Sequence, residues 1–215
     1  MATIATPKPG TPLLERANRK GGDTNDLRHG GDGFGEIQLP EGRYTTGMLL
    51  ALGAVTMLFA AFTSAYIVRK GLSDDWVSLP LPNILWGSSF IILLSSVTIV
   101  YARRSVGDLR RFRRWWLATC ALGLLFLAGQ LLAWSQLAGN GFYLATNPSS
   151  SFFYVLTATH GVHLVGGILA LVFIAWRAWS VPSGPGSTAV GVTALYWHFM
   201  DGLWIYLFLF LLIWR

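Results

Sequence analysis

Charged residues and cysteine are both scarce in this 215-residue sequence. Asp, Glu, Lys and Arg make up 12% of the chain, about half of the roughly 25% found in soluble domains. Together with a hydrophobic share of 53%, this composition argues against a soluble globular protein and against a disordered chain. The single cysteine, Cys120, excludes a disulfide framework within the chain and a cysteine-based zinc or iron–sulfur site.

Apolar residues are gathered in five runs of 18 to 25 residues. A membrane-spanning helix needs roughly 20 apolar residues, and the backbone in lipid must satisfy its own hydrogen bonds. The alternating pattern of a membrane β-barrel is absent. We therefore predict an all-α, polytopic membrane bundle of five transmembrane helices. The spans cover residues 44–68, 84–101, 115–137, 152–176 and 190–214.

Residues 1–43 differ in composition from the rest of the chain. They contain four Pro and eight Gly, with six basic and six acidic residues. They hold no apolar run, so we expect no secretory signal peptide. We predict a disordered or docked N-terminal tail, with ordering against a partner protein as the alternative. Residues 44–215 would form the transmembrane domain, and deletion of residues 1–35 should leave membrane insertion intact.

Lys and Arg are distributed unevenly between the two sides of such a bundle. Thirteen lie in the tail, in the segment between spans two and three, and at Arg177 after span four; three lie on the other side. The positive-inside rule then predicts that the N terminus is inside and the C terminus outside. The net charge of +6 is a topology signal, with contact to anionic lipid as a secondary effect. We expect no nucleic-acid partner, because no phosphate-tracking or base-reading element is present.

The ten Trp residues support the same frame. Several lie near span ends, among them Trp115 and Trp116 at the start of span three. Trp is enriched at membrane–water interfaces, so we predict that most of these residues are interfacial anchors.

Four side chains that titrate near or below neutral pH lie within the spans: His160, His163, His198 and Asp201. A charged form at such depth costs about 2.5–3.5 kcal/mol, so these groups should face protein or water. The two residues of each pair are three apart and share a helix face. His163 and His198 come to nearly the same depth, so we expect spans four and five to be neighbours joined by His–His or His–Asp hydrogen bonds.

Three interpretations of these polar residues remain open. Two histidines on facing helices could hold a b-type haem, and mixed His/carboxylate sites bind iron. The group could also relay protons, or it could be structural, satisfied by Thr157, Thr159, Tyr196 or a lipid head group. A di-iron site needs several carboxylates and the spans offer one, so we prefer the structural interpretation. We predict no catalytic residue, since no phosphate-binding loop or nucleophile elbow is present.

The serines of span two are a further candidate set. Ser88, Ser89, Ser95 and Ser96 have no base within reach in sequence. We therefore interpret them as hydroxyls that pack between helices.

Specific segments in the last two spans resemble a known family. Residues 160–163 read His-Gly-Val-His, and residues 196–201 read Tyr-Trp-His-Phe-Met-Asp. With Pro82-Asn83 before span two and Gly129-Gln130 in span three, they resemble subunit III of the haem–copper terminal oxidases, the cytochrome c oxidase polypeptide III family. The resemblance covers residues 44–214 and looks like a short, five-helix form that lacks the first two of seven spans.

The resemblance implies a non-catalytic subunit of a respiratory oxidase in the bacterial plasma membrane. Such a subunit packs on subunit I, holds phospholipid in a cleft, and supports proton uptake and stability during oxygen reduction. It binds no metal of its own, and haem and copper reside in partner subunits. Other oxidase subunits or a larger respiratory supercomplex would be further partners, and the electron donor would be cytochrome c or quinol. The matching positions are His160, His163, Trp197, His198 and Asp201, with Arg177 suited to a lipid phosphate.

The sequence departs from the family pattern at two places, and the roles of the family's residues at these places do not apply to this chain. Many members have a carboxylate in the span that matches residues 44–68, and this span has none. Members also often have a Glu soon after the Gln of span three, where this chain has Ala133 and Trp134. Two other functions stay open: a haem-bearing membrane anchor of a quinone oxidoreductase, with His160, His163 or His198 as ligands, and an accessory subunit of nitric oxide reductase.

Overall fold

The five apolar runs all become α-helices in the computed structural model. The structure describes residues 42–72, 76, 81–144, 147–181 and 184–214, and no strand occurs among them. The helices are α1 (Gly42–Leu72), α2 (Ile84–Arg104), α3 (Leu109–Gly139), α4 (Pro148–Ser180) and α5 (Ser187–Trp214). Each is long and apolar enough to cross a membrane, which confirms the predicted fold class. The predicted tail lies, up to residue 41, outside the described residues.

Several helices extend beyond the apolar runs, because polar residues cap or prolong them. Helix α3 begins six residues before its run. The carboxylate of Asp108 accepts hydrogen bonds there from the backbone N–H groups of Arg110 at 3.1 Å and Arg111 at 3.2 Å. Such an N-cap satisfies donors that the first helical turn leaves free. The apolar run therefore marks the part suited to lipid, while the cap sets where the helix starts.

Helices α2 to α5 form a closed ring in which each packs on the next and α5 returns to α2. Within the described residues, α1 packs only on α4 and α5. One end of this bundle, here called the arginine-rich end, carries the start of α1, the segment Arg103–Arg114, Arg177 and the start of α5. The surface between α2 and α5, called the α2/α5 seam, holds most of the candidate site.

Large aromatic side chains fill the centre of the ring. Trp116, Trp197 and Trp204 are fully buried. The interfacial role predicted for Trp116 is wrong: its Nε1 donates a hydrogen bond to the main-chain oxygen of Leu171 at 2.8 Å. The neighbouring Trp115 does face outward. A buried indole needs an acceptor, and a main-chain oxygen of α4 supplies it.

Helices α4 and α5 approach each other closely at Gly167. A Cβ at this position would lie 3.0 Å from Cε1 of Tyr196 and 3.3 Å from the ring of Trp197. Glycine lets the two backbones come together, as small residues do between membrane helices. The contact fixes the rotation of α5 and so directs the next residues, His198 and Asp201, towards α2.

Candidate functional site

Ser96 on α2 connects the two polar side chains of α5. Its Oγ lies 3.1 Å from Nδ1 of His198 and donates a hydrogen bond to Oδ2 of Asp201. A hydroxyl carries a single hydrogen, so once it is donated to Asp201 the oxygen is left to accept from His198 Nδ1–H. The hydrogen bonds therefore run from His198 to Ser96 and from Ser96 to Asp201.

The three residues His198, Ser96 and Asp201 differ in how deeply they are buried. Asp201 is 3% exposed, whereas Ser96 and His198 are only partly buried. The second carboxylate oxygen, Oδ1 of Asp201, is buried and has no hydrogen-bond partner among the described residues. A buried polar atom without a partner is unusual and costly. The site thus has a buried acceptor without a partner, Oδ1 of Asp201, and a partly exposed residue, His198.

The structure corrects the predicted linkage between α4 and α5. These helices are neighbours, as predicted, but among the described residues neither a His–His nor a His–Asp hydrogen bond joins them. Instead, Tyr196 Oη donates to the main-chain oxygen of His163 at 2.8 Å. Nδ1 of His163 lies 2.8 Å from the main-chain oxygen of Thr159 on its own helix. The partner of Asp201 is Ser96, none of the residues proposed for it from sequence, because the rotation of α5 turns residues 198 and 201 away from α4.

His160 occupies the aromatic centre of the bundle. It is 1% exposed, and its ring centroid lies 5.3 Å from Trp204, 6.2 Å from Phe126 and 6.5 Å from Phe59. Neither ring nitrogen has a hydrogen-bond partner among the described residues. His160 therefore contacts aromatic rings, whereas His198 contacts Ser96.

The serines of α2 play a larger part than the sequence indicated. Trp197 Nε1 donates to Ser95 Oγ at 2.8 Å, and Trp204 Nε1 donates to Ser89 Oγ at 3.0 Å. Gln130 Nε2 of α3 donates to Ser88 Oγ at 3.0 Å. The serines accept these bonds from indole and amide groups that would otherwise be buried unpaired.

A spacing in the sequence could have revealed this arrangement. Ser88 and Ser95 are seven residues apart, as are Ser89 and Ser96, and Trp197 and Trp204 share that interval. Two helices with polar groups every two turns can pair along one face. A search for bases near each serine in sequence does not detect this interval, because the partners lie on another helix.

Arg177 lies apart from this cluster. It is exposed at the arginine-rich end and lines a groove of about 430 Å³ between α1, α4 and α5, called the Arg177 groove. Tyr44, Phe173, Ile174 and Val192 also line it. A second groove of about 860 Å³, lined by Ala61, Ala65 and Phe152 among others, lies between α1 and α4 at the opposite end.

We searched the described residues for side chains that could bind a metal ion together. Within the described ranges, no three His, Cys, Asp or Glu side chains form a group that could hold a metal ion. The arrangement around Asp201 can hold or pass a proton, because it joins two titratable groups through a hydroxyl.

Comparison with known proteins finds one matching family model and several similar proteins. The family model described as cytochrome c oxidase subunit III matches residues 43–215. A protein of Thermostichus vulcanus named cytochrome c oxidase subunit 3 is 33% identical over 181 residues, which cover 78% of this chain and 85% of the relative. Its namesake in a Synechocystis species is 32% identical over 195 residues, covering 87% and 82%. One from a Bacillus species is 29% identical over 172 residues, covering 75% and 81%.

Proposed function

Since the chain belongs to the cytochrome c oxidase subunit III family, we propose that it is a non-catalytic subunit that packs on subunit I and binds phospholipid. We also propose that it supports proton uptake and stability while the complex reduces oxygen. The chain has five helices able to span a membrane. It lies in the bacterial plasma membrane and belongs to an oxidase complex with other subunits.

The observation that carries the proposal is the extent of the match. It runs over residues 43–215 and therefore covers all five helices, including both polar segments of α4 and α5. In those segments, Trp197, His198 and His163 bond to Ser95, Ser96 and a main-chain oxygen. Such internal use of polar groups supports a structural role better than metal ligation.

Lipid binding is proposed at the Arg177 groove. The exposed guanidinium stands at the end of a groove whose other lining residues include Phe173, Ile174 and Val192. A phosphate can accept two hydrogen bonds from a guanidinium, and an acyl chain suits the apolar wall. With the arginine-rich end towards the cytoplasm, as the positive-inside rule favours, the head group would lie at the inner surface.

One experiment tests the lipid assignment. We expect Arg177→Gln to lower the amount of anionic phospholipid that co-purifies with the complex in mild detergent, measured by mass spectrometry of extracted lipids. Arg104→Gln is the matched control, because Arg104 lies at the same end without lining the groove. Equal lipid content in both variants would contradict lipid binding at Arg177.

A second experiment tests the role in the complex. A tag on the N terminus should retrieve larger, haem-containing subunits, and the separated 23.6 kDa chain should be colourless in a reduced-minus-oxidised spectrum. Complex from which this chain has been stripped should reduce oxygen at first and then lose activity over successive turnovers. Haem that stays on the separated chain would overturn the proposal and favour the haem-bearing anchor.

A further inference from the structure

Asp201 is the sole acidic residue in the five helices. It is almost completely buried, and Oδ1 has no partner among the described residues. The other oxygen accepts one hydrogen bond from Ser96. One hydroxyl is too little compensation for a carboxylate in a low-dielectric bundle. The site becomes neutral as a whole if it holds one proton in addition to the neutral histidine and the carboxylate.

We propose that Asp201, Ser96 and His198 together bind one exchangeable proton within the α2/α5 seam, and that this proton enters and leaves from the arginine-rich end. The inference goes beyond the proposed function, because it assigns a proton-binding site to this chain itself. It stands on the geometry of the seam and applies to the chain in whatever complex it occupies.

The proton has two positions linked through the hydroxyl of Ser96. In one, His198 is an imidazolium with hydrogen on both nitrogens, and Asp201 is a carboxylate. When Nδ1 passes its proton to Ser96 Oγ, Ser96 passes its own hydrogen to Oδ2 of Asp201. His198 is then neutral with hydrogen on Nε2, Ser96 is again a hydroxyl, and Asp201 is a carboxylic acid. The shift moves no net charge into or out of the cluster.

A cavity at the arginine-rich end extends along α5 as far as Leu195, about one helical turn before His198. It has a volume of about 510 Å³ and is lined by Thr45, Arg103, Ser187, Thr188, Gly191 and Leu195, among others. Arg103 and Ser96 are seven residues apart on α2 and share a face, about 10 Å apart along the helix. On α5, Gly191, Leu195 and His198 share the opposing face in the same way. The partly buried His198 therefore lies between the cavity and Asp201.

Among the other titratable groups named here on α1, α2 and α4, Arg103 lies towards this site and the rest make contacts elsewhere. On α2, Arg103 lies at the arginine-rich end of the seam, where its positive charge stabilises the cluster when the proton leaves. On α4, His160 contacts Trp204 and His163 contacts Phe59, while Arg177 lines its own groove. On α1, Tyr66 and Lys70 bond to Trp214 at the far end of α5.

Infrared spectroscopy of the purified complex can locate this proton. The difference spectrum between native complex and Asp201→Asn should contain the C=O band of a protonated carboxylic acid, or a carboxylate band together with a histidinium band. Either result supports the proposal, because each places one proton in the cluster. A carboxylate band without a histidinium band would overturn it. Asp108→Asn, which removes an exposed carboxyl group, controls for band assignment.

A second variant tests the relay and covers the case in which Asp201→Asn does not assemble. In Ser96→Ala, hydrogen–deuterium exchange of the band that reports the proton should slow at least about tenfold, since a positioned group that transfers a proton contributes about 10²–10⁴-fold to a rate. Ser95→Ala is the matched control: it makes the same change on the same helix at a hydroxyl that bonds Trp197. Unchanged exchange in Ser96→Ala would remove Ser96 from the path and overturn the proposal.

Discussion

The indole of Trp197 lies directly against the backbone of Gly123. A Cβ at position 123 would be 2.7 Å from Cη2 of Trp197 and 2.9 Å from Cζ2. The ring is fully buried and is held by the hydrogen bond from its Nε1 to Ser95 at 2.8 Å. It cannot turn away without losing that bond, so α3 has no room for a side chain at this point.

Gly123→Ala is therefore expected to destabilise the bundle. Overpacking of a filled core costs about 1–3 kcal/mol, which should appear as a lower free energy of unfolding and a lower Tm of the purified complex. Gly161→Ala is the control, since no atom lies within 4 Å of a Cβ there. Ala has a higher helix propensity than Gly, so Gly161→Ala should be neutral or stabilising. Similar losses in the two variants would show that the contact with Trp197 does not set the effect.

The bond from Trp204 Nε1 to Ser89 Oγ at 3.0 Å can be measured by a double-mutant cycle. Ser89→Ala leaves the buried indole N–H without its acceptor and should cost about 1–3 kcal/mol. Trp204→Phe removes the donor, so adding Ser89→Ala to it should cost much less. A coupling energy of about 1–3 kcal/mol is expected, because it is the difference between these two costs. Additive changes in the free energy of unfolding would contradict a direct bond.

Substitutions of Asp201 should differ sharply in their effect on assembly. Asn keeps an acceptor oxygen for Ser96, so Asp201→Asn should be mild. Leu removes the acceptor and disturbs the bridge to His198, and each buried polar group left unpaired costs about 1–3 kcal/mol. The yield of intact complex after mild detergent extraction measures both variants. Equal yields would mean that the link between α2 and α5 does not contribute to assembly.

Helices α1 and α5 are joined at the end opposite the arginine-rich end. Tyr66 Oη donates to the main-chain oxygen of Trp214 at 3.0 Å, and Lys70 Nζ donates to the same oxygen at 2.6 Å. The last carbonyls of a helix have no partner within the helix. Tyr66→Phe or Lys70→Met alone should each lower the free energy of unfolding by about 0.5–1.5 kcal/mol.

The double variant tests whether the two donors share this task. Removing both should cost more than the sum of the single losses, because either donor alone still satisfies the oxygen. Tyr101→Phe, at an exposed residue of α2, is the control and should leave the Tm unchanged. Strictly additive losses would show that the two bonds act independently.

His160 and His198 should respond differently to an apolar ring. His160→Phe removes two buried nitrogen atoms that lack partners among the described residues, and removing such atoms can be neutral or stabilising. We expect an unchanged or higher Tm. His198→Phe takes a partner from Ser96 and should lower the Tm. A loss above about 1 kcal/mol in His160→Phe would contradict this expectation.

The sequence alone predicted the membrane class, the five helices and the family, for a clear physical reason. Lipid offers no hydrogen bonds to the backbone, so long apolar runs such as residues 44–68 leave only the helix. Helix ends were less predictable: α3 starts at Leu109 because the Asp108 side chain caps it, and such a cap is a local polar contact that run length does not record.

The tertiary structure decided which side chains meet. Spacing placed His198 and Asp201 on one face of α5, yet it could not say whether that face meets α4 or α2. The close packing of α4 and α5 at Gly167 and of α3 and α5 at Gly123 fixes the rotation of α5, and that rotation brings Ser96 between the two residues. Composition and periodicity thus determine the helices and their apolar surfaces, whereas the rotation of each helix depends on side-chain packing across the bundle.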